Sequence, residues 1–434
     1  MRSQEKRTTM GRTSLSRRAL LVGAAVAASA LVLSACGGSS SASDNTLRVA
    51  FGSNGSDGQK VWDAAAAQFK KDNPDWNVEF QVQNDDLYET VGLQNLLTSG
   101  NAPDVYFEWA GARLANKVRD GYAADITNLI KSSGLESEFP PGAFSTVTID
   151  GKVYMVPFTS DVTNVIWYNK DLFDKQGIAV PTTWVELMDA SAKLKAAGIT
   201  PFAMGNKDLW VAGNWVGHII SRVAGEQIYD EVLSQKKPLN SPEFVKAMGY
   251  VQELQKNGYV NASANTISDN EGYALFFDGK AAMLPIGSWI VGIQQEQAPD
   301  FTMDWFNQPA IDGAAGDQKS IMGVTTGYII NAKSTKQDKA AEFLKDAFSP
   351  EMVQMWVDAG FTPVAKGTAT TQPDALTQSM VDLLGSGAPI VAPPDTGYDL
   401  KVADALNTAT SQVLDGVKTP QEALDEAQAK MEAK

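Results

Sequence analysis

The chain has 434 residues but only one cysteine and one histidine. A lone cysteine, Cys36, excludes intrachain disulfides and cysteine-based metal sites. A lone histidine, His218, leaves any Ser-His-Asp triad or histidine-ligated zinc site dependent on it. It sits in the apolar stretch Trp215-Val216-Gly217-His218-Ile219-Ile220, which reads as helix, so a buried structural histidine is expected. No GxxxxGK[ST] or GxGxxG follows a strand, which excludes a nucleotide-phosphate cradle. Basic charge is short: 36 Lys and Arg against 51 Asp and Glu leave −15. Such a surface disfavours nucleic acid and anionic lipid as partners. The apolar run 19–33 has 15 residues, too few for the roughly 20 that span a membrane.

What is present begins at the N-terminus. Arg2, Lys6, Arg7, Arg12, Arg17 and Arg18 precede or open onto that apolar run. Basic-then-apolar order suits a signal peptide over 1–35. Leu33-Ser34-Ala35-Cys36 resembles a bacterial lipobox. The resemblance implies cleavage before Cys36 and a diacylglycerol on its thiol. The protein would then be anchored by lipid to the outer face of the cytoplasmic membrane rather than spanning it. Ser16-Arg17-Arg18 also resembles a twin-arginine export signal, although two arginines before an apolar stretch serve general secretion equally well. Residues 36–45 read as a polar tether. Without residues 1–35 the chain has 399 residues and a charge of −20. That length fits about two domains.

Aromatic side chains are plentiful. All ten Trp lie beyond the signal segment. Trp62, Trp76, Trp167, Trp184 and Trp356 sit in apolar stripes and read as core. Trp109, Trp210 and Trp289 stand instead beside Gly, Asn, Asp or Glu. A flat indole next to carboxylates and amides suits a pyranose, whose C–H face stacks while its hydroxyls hydrogen-bond.

Strand and helix patterns alternate. Leu47–Phe51, Val78–Val82 and Asp104–Phe107 read as strands, separated by helices over 60–71 and 87–97. This β-α-β-α-β order predicts a parallel sheet covered by helices, an α/β fold. Ligands of such sheets bind beyond the carboxyl ends of the strands, where 51–54 and 108–111 fall. The pattern restarts after Tyr154–Phe158, with strands at 165–168 and 200–204. Thr183 and Glu186 form a capping box for a helix to Ala197. Ser241-Pro242, Ser349-Pro350 and Thr419-Pro420 each open a further helix.

At this point a family resemblance is visible. Gly100-Asn101-Ala102-Pro103-Asp104-Val105, the stretch from Asp161 through Asn164-Val165-Ile166-Trp167-Tyr168-Asn169 to Phe173, Phe277-Asp278-Gly279-Lys280 on to Gly287-Ser288-Trp289, and Gly360-Phe361-Thr362-Pro363-Val364 follow in order. The set resembles the extracellular solute-binding proteins, sugar-binding family 1, of ABC transporters. The resemblance implies a two-lobed periplasmic-binding-protein-like fold. Lobes of 46–158 with 310–365, and of 165–305 with 370–434, are expected. Crossings fall near Phe158–Asn164, near Trp305–Pro309 and after Val364.

For the site the resemblance implies Glu108 and Trp109 after the third strand, and Asp161 at the first crossing. It also implies Trp210 and Trp289 from the second lobe, Tyr328 from the returning segment, and the pair Tyr398 and Asp399. Asn54 takes the place where relatives often carry a lysine or amide. The partners implied are a carbohydrate, by the spread of aromatics an oligosaccharide, and ABC permease subunits, with the protein a monomer. No catalytic residue, metal site or cofactor is expected. Two other readings stay open: a secreted glycoside hydrolase, since paired carboxylates and tryptophans suit that chemistry, and a receptor for a peptide or polyamine.

Overall fold

The structure is a computed structural model that describes residues 45–433, apart from 54, 141 and 368–373. The expected signal segment, the lipidation site Cys36, nearly all of the tether and Asn54 lie outside the described residues. Among the described residues no helix is long and apolar enough to cross a membrane.

The strands are β1 (Thr46–Gly52), β2 (Asn77–Gln83), β3 (Val105–Trp109), β4 (Thr148–Ile149), β5 (Lys152–Val153), β6 (Val156–Asn169), β7 (Thr200–Phe202), β8 (Ala281–Ile286), β9 (Met303–Phe306), β10 (Ile321–Ile330) and β11 (Ile390–Val391). A nine-stranded sheet runs β2-β1-β3-β10-β6-β8-β7, with β11 on β10 and β9 on β6. As the alternating pattern predicts, β1 pairs in parallel with both β2 and β3. The whole sheet is mixed, because β10 runs antiparallel to β3 and to β6.

Two hydrophobic cores lie on this sheet. The first gathers residues 47–158 with 328–365. Its centre is Trp62, fully buried, with ring centroids 4.9 Å from Tyr328, 5.3 Å from Phe51 and 5.3 Å from Trp356. The second core runs from Val162 to Met322 and resumes at 380–427. Helix Trp210–Ala224 passes through it with almost every residue buried, which is why its sequence shows little polar face. Capping follows the sequence at Thr183 and Thr419, whose hydroxyls accept from the N–H of Glu186 and Glu422. Ser241 and Ser349 precede their helices without a side-chain cap, leaving proline at the first turn as the start signal.

The passage between cores is where structure and expectation differ. Residues 156–158 and the stretch at 165–168 belong to one continuous strand, β6, which leaves the first core at Phe158 and enters the second at Val162. Its partner β10 makes the return, between Met322 and Tyr328. The return expected near Trp305–Pro309 therefore falls later, between Met322 and Tyr328. The cause is pairing: β9 lies on residues 166–169 of β6, and Gln308 accepts from the Trp215 indole N–H at 3.0 Å, so this segment stays with the second core.

His218 is fully buried in the second core. Its Nε2 lies 3.2 Å from the Ser320 carbonyl, which can only accept, so Nε2 carries the proton. The Asn164 side-chain oxygen stands 3.1 Å from Nδ1, and because a neutral ring protonated at Nε2 can only accept there, the amide is assigned with its oxygen and nitrogen exchanged, so that its otherwise unpartnered N–H donates to Nδ1. Burial and the Arg222 charge push His218 down to about 3. With the folded value below the ordinary 6.5, this neutral ring supports stability fully above pH 6.5. The support fades as pH falls from there toward 3, by about 1.4 kcal/mol per pH unit at most. Urea unfolding at pH 7, 5.5 and 4.5 should show this decline. His218→Gln, which can still donate once and accept once, should flatten it.

Candidate functional site

The two crossing strands form the floor between the lobes. Thr326 of β10 pairs directly with Trp109 of β3, and directly opposed residues share a sheet face. The Thr326 hydroxyl lies 2.7 Å from that of Thr159 on β6. Thr159 donates to Asp161 at 2.7 Å, two residues along on the same face. One row therefore runs Trp109, Thr326, Thr159, Asp161 from the first lobe to the crossing. Trp109 and Asp161 are half-buried, whereas both threonines are buried.

Asp161 faces no lysine or arginine among the described residues. Burial pushes its carboxyl up to about 6, and the bond from Thr159 offsets this only in part. One residue further, the Val162 carbonyl accepts from the Ser288 N–H at 2.8 Å. That bond brings the end of β8, and with it Trp289, against the crossing. Trp289 and Trp210 are both half-buried, with ring centroids 5.8 Å apart and planes inclined by 52°. The Trp289 indole N–H donates to the Tyr273 hydroxyl at 3.3 Å, and Tyr273 donates to Asp269 at 3.0 Å. This chain fixes the indole from behind. Leu209, just before Trp210, holds φ at 69°, an uncommon conformation for a branched side chain that costs roughly 1 kcal/mol or more. Such strain is typical of residues that aim a functional side chain.

The structure thus joins Trp109, Asp161, Trp210 and Trp289 around one crossing. Of the other expected residues, Asn54 lies outside the described residues, and the structure places the rest elsewhere. Tyr328 is fully buried against Trp62, Phe107 and Phe158, so it is core rather than cleft lining. It shares the face of Thr326 but lies two residues deeper. Glu108 points to the opposite side of β3 and is 1% exposed. Lys117 lies 3.3 Å from its carboxylate and Arg113 3.9 Å, so it neutralises cations instead of meeting a ligand. Tyr398 packs on Tyr229 at 5.7 Å, and its hydroxyl donates to Asp230 at 3.5 Å. Asp399 is an exposed helix cap that accepts from the Lys401 N–H. No described contact links this pair to the indoles.

Thr159, Thr326, Tyr273 and Asp269 were not foreseen. Thr159 had a signal, its two-residue spacing from Asp161. The others meet the site only through long-range pairing. Among the described residues no group of three His, Cys, Asp or Glu is placed to hold a metal ion.

Comparison with known proteins agrees with this architecture. The family of bacterial extracellular solute-binding proteins matches residues 52–354. An uncharacterized ABC transporter extracellular-binding protein of Pyrococcus horikoshii is 27% identical over 238 residues, a match spanning about half of each chain, 54% of this one and 53% of the other. A multiple sugar-binding protein of Streptococcus mutans is 27% identical over 316 residues, 68% of this chain and 70% of the relative. The sn-glycerol-3-phosphate-binding periplasmic protein of Shigella flexneri is 27% identical over 402 residues, 85% and 87% of the two chains. A solved structure from work on xylan utilization by Caldanaerobius polysaccharolyticus superposes with a TM-score of 0.81 at 26% identity, over 89% of this chain and all of the other. With two cores on one sheet, two strands crossing between them and a family match over most of its length, the chain belongs to the bacterial extracellular solute-binding proteins.

Proposed function

We propose that this protein is an extracytoplasmic receptor, lipid-anchored through Cys36, that binds an oligosaccharide between its lobes and delivers it to an ABC import permease. The observation that carries this reading is the placement of half-exposed indoles from both lobes about Asp161, an acceptor without a paired cation among the described residues. Trp109 on one side and Trp210 with Trp289 on the other offer stacking faces to more than one sugar ring. Asp161 accepts from hydroxyls between them. A ligand that touches both lobes favours the closed arrangement by its differential affinity. The protein performs no chemistry in this scheme, and a monomer suffices. Names among the relatives include both a multiple sugar-binding and an sn-glycerol-3-phosphate-binding protein. A bare carboxylate at the crossing opposes a phosphate, which favours the neutral sugar.

A thermal-shift screen tests this. The Cys36→Ser chain is heated with mono-, di- and oligosaccharides, and with a peptide, a polyamine and sn-glycerol-3-phosphate as controls. A ligand at 100 times its Kd adds about 2.7 kcal/mol, a visible shift. The expected result is a shift with oligosaccharides that Trp210→Ala removes. A shift with the polyamine, peptide or phosphate alone would discard the carbohydrate assignment. Release of chromophore from an aryl glycoside would replace the receptor by a hydrolase.

A further inference from the structure

Arg113 lies on the short helix Ala112–Arg119, directly after β3. Its guanidinium carbon sits 4.7 Å from the centroid of the Trp109 ring, covering one indole face. Its NH2 pairs with Glu89 at 2.7 Å, and its Nε donates to the Asp395 backbone oxygen at 3.3 Å. Glu89 belongs to the first lobe, in the π-helical turn Tyr88–Gly92. Asp395 belongs to the second: it lies in the turn Pro394–Gly397, which packs on helices Trp210–Ala224 and Leu400–Leu414. Asp395 is buried, and its Oδ1 has no hydrogen-bond partner among the described residues. The two chains are also close at this seam. A Cβ on Gly111, at φ 79°, would stand 2.8 Å from the Thr396 carbonyl oxygen and 3.1 Å from Gly397 Cα. One side chain therefore touches an indole platform, an acid of its own lobe and the backbone of the other lobe.

We propose that Arg113 is a positioning residue that couples closure of the lobes to the orientation of Trp109. With the lobes together, Asp395 and Glu89 fix the guanidinium from two sides. The guanidinium then holds the indole plane and leaves its other face for the ligand. With the lobes apart, the bond to Asp395 is lost and the indole is released. A planar group with several directed N–H donors can do all three tasks at once, whereas an ammonium cannot. The inference rests on the two-lobed receptor reading but not on the sugar.

Two measurements test it. In the full chain with Cys36→Ser, spin labels on Lys70→Cys and Val417→Cys, exposed positions of the two lobes, report the distance between them without any ligand. Arg113→Met keeps the stem and removes the charge, and should lower the short-distance fraction at least threefold. Arg113→Lys should fail to restore it. If Arg113→Met alone does not fold, the pair Glu89→Gln with Arg113→Met also removes the charge of its nearest carboxylate partner, while Glu108 keeps Lys117 at 3.3 Å, and should give the same opening. Distance distributions unchanged from the parent in these folded variants overturn the proposal. With a sugar found in the screen, Arg113→Met and Trp109→Ala should together weaken binding at least tenfold less than the product of their separate effects. Multiplying effects also overturn it. If no sugar binds, the carbohydrate reading falls, and the ligand-free distances alone decide.

Discussion

Replacing Asp161 by asparagine is expected to weaken sugar binding about thirtyfold, roughly 2 kcal/mol, while making the ligand-free protein more stable at neutral pH. Both effects follow from one circumstance. The carboxylate is half-buried at the crossing, receives a bond from Thr159 and faces no cation among the described residues. Its folded value, about 6, lies above the ordinary carboxyl range, so folding favours the protonated form. The ionised form consequently costs stability, on the order of 3 kcal/mol, above pH 6. That cost shrinks as pH falls through 6 and is gone below the ordinary value near 4. Asparagine keeps the shape and can still accept from Thr159, but it carries no charge. Its stabilising effect should therefore be present at pH 7.5 and absent at pH 4, as read by urea unfolding. A ligand hydroxyl gains more from a carboxylate than from an amide, so calorimetric titration should show the opposite sign for binding. Affinity of the parent should also decline as pH falls below 6. A variant that loses both stability and affinity at pH 7.5 would show that Asp161 is structural.

The same residue illustrates what the sequence shows and what it hides. A polar interval, Thr159-Ser160-Asp161, interrupts the apolar pattern, which restarts at Val165–Tyr168. The whole is one strand, β6, whose polar interval is the part that lies between cores. Periodicity marks burial, and a strand that leaves one core for another changes its burial midway. An indole beside Gly, Ser or Glu breaks the apolar stripe that a core tryptophan joins, and Trp109 and Trp289 are only half-buried. Trp62 and Trp356, within such stripes, are fully buried. Tyr328 misled for a reason of depth. The resemblance implies a ring lining the cleft, yet only two residues along β10 separate cleft-side Thr326 from core-side Tyr328, and no local pattern encodes that depth. The pairing of Thr326 with Trp109, and the contact of Arg113 with Asp395, join residues more than two hundred positions apart. Nothing local could announce them. The return crossing failed likewise, because β9 is held by partners on β6.

Substituting Gly327 by alanine is expected to destabilise the protein by about 3 kcal/mol and to weaken ligand binding as well. Gly327 lies on β10 between Thr326 of the site row and Tyr328 of the first core. A Cβ there would collide with the Val156 carbonyl oxygen and lie 2.8 Å from Met155 Cγ and Sδ. Met155 and Val156 are fully buried, so neither can retreat without opening the first core. The pairing of β10 with β6 already shifts register between Thr325 and Gly327, which brings the backbones together here. Relief of the collision requires β10 to move away from β6. That movement separates Thr326 from Thr159 and removes the 2.7 Å contact that aligns Asp161 with Trp109. Gly323→Ala is the comparison. It sits at the other register shift, where a Cβ would stand 3.0 Å from the Asp161 carbonyl oxygen and 3.3 Å from the exposed side chain of Ile390, which can yield. Its expected cost is about 1 kcal/mol. Denaturant midpoints for the two variants should therefore differ clearly, with Gly327→Ala the lower. Equal midpoints would mean that β10 and β6 accommodate the methyl group at both shifts, and that their tight approach at Gly327 does not hold the crossing in place.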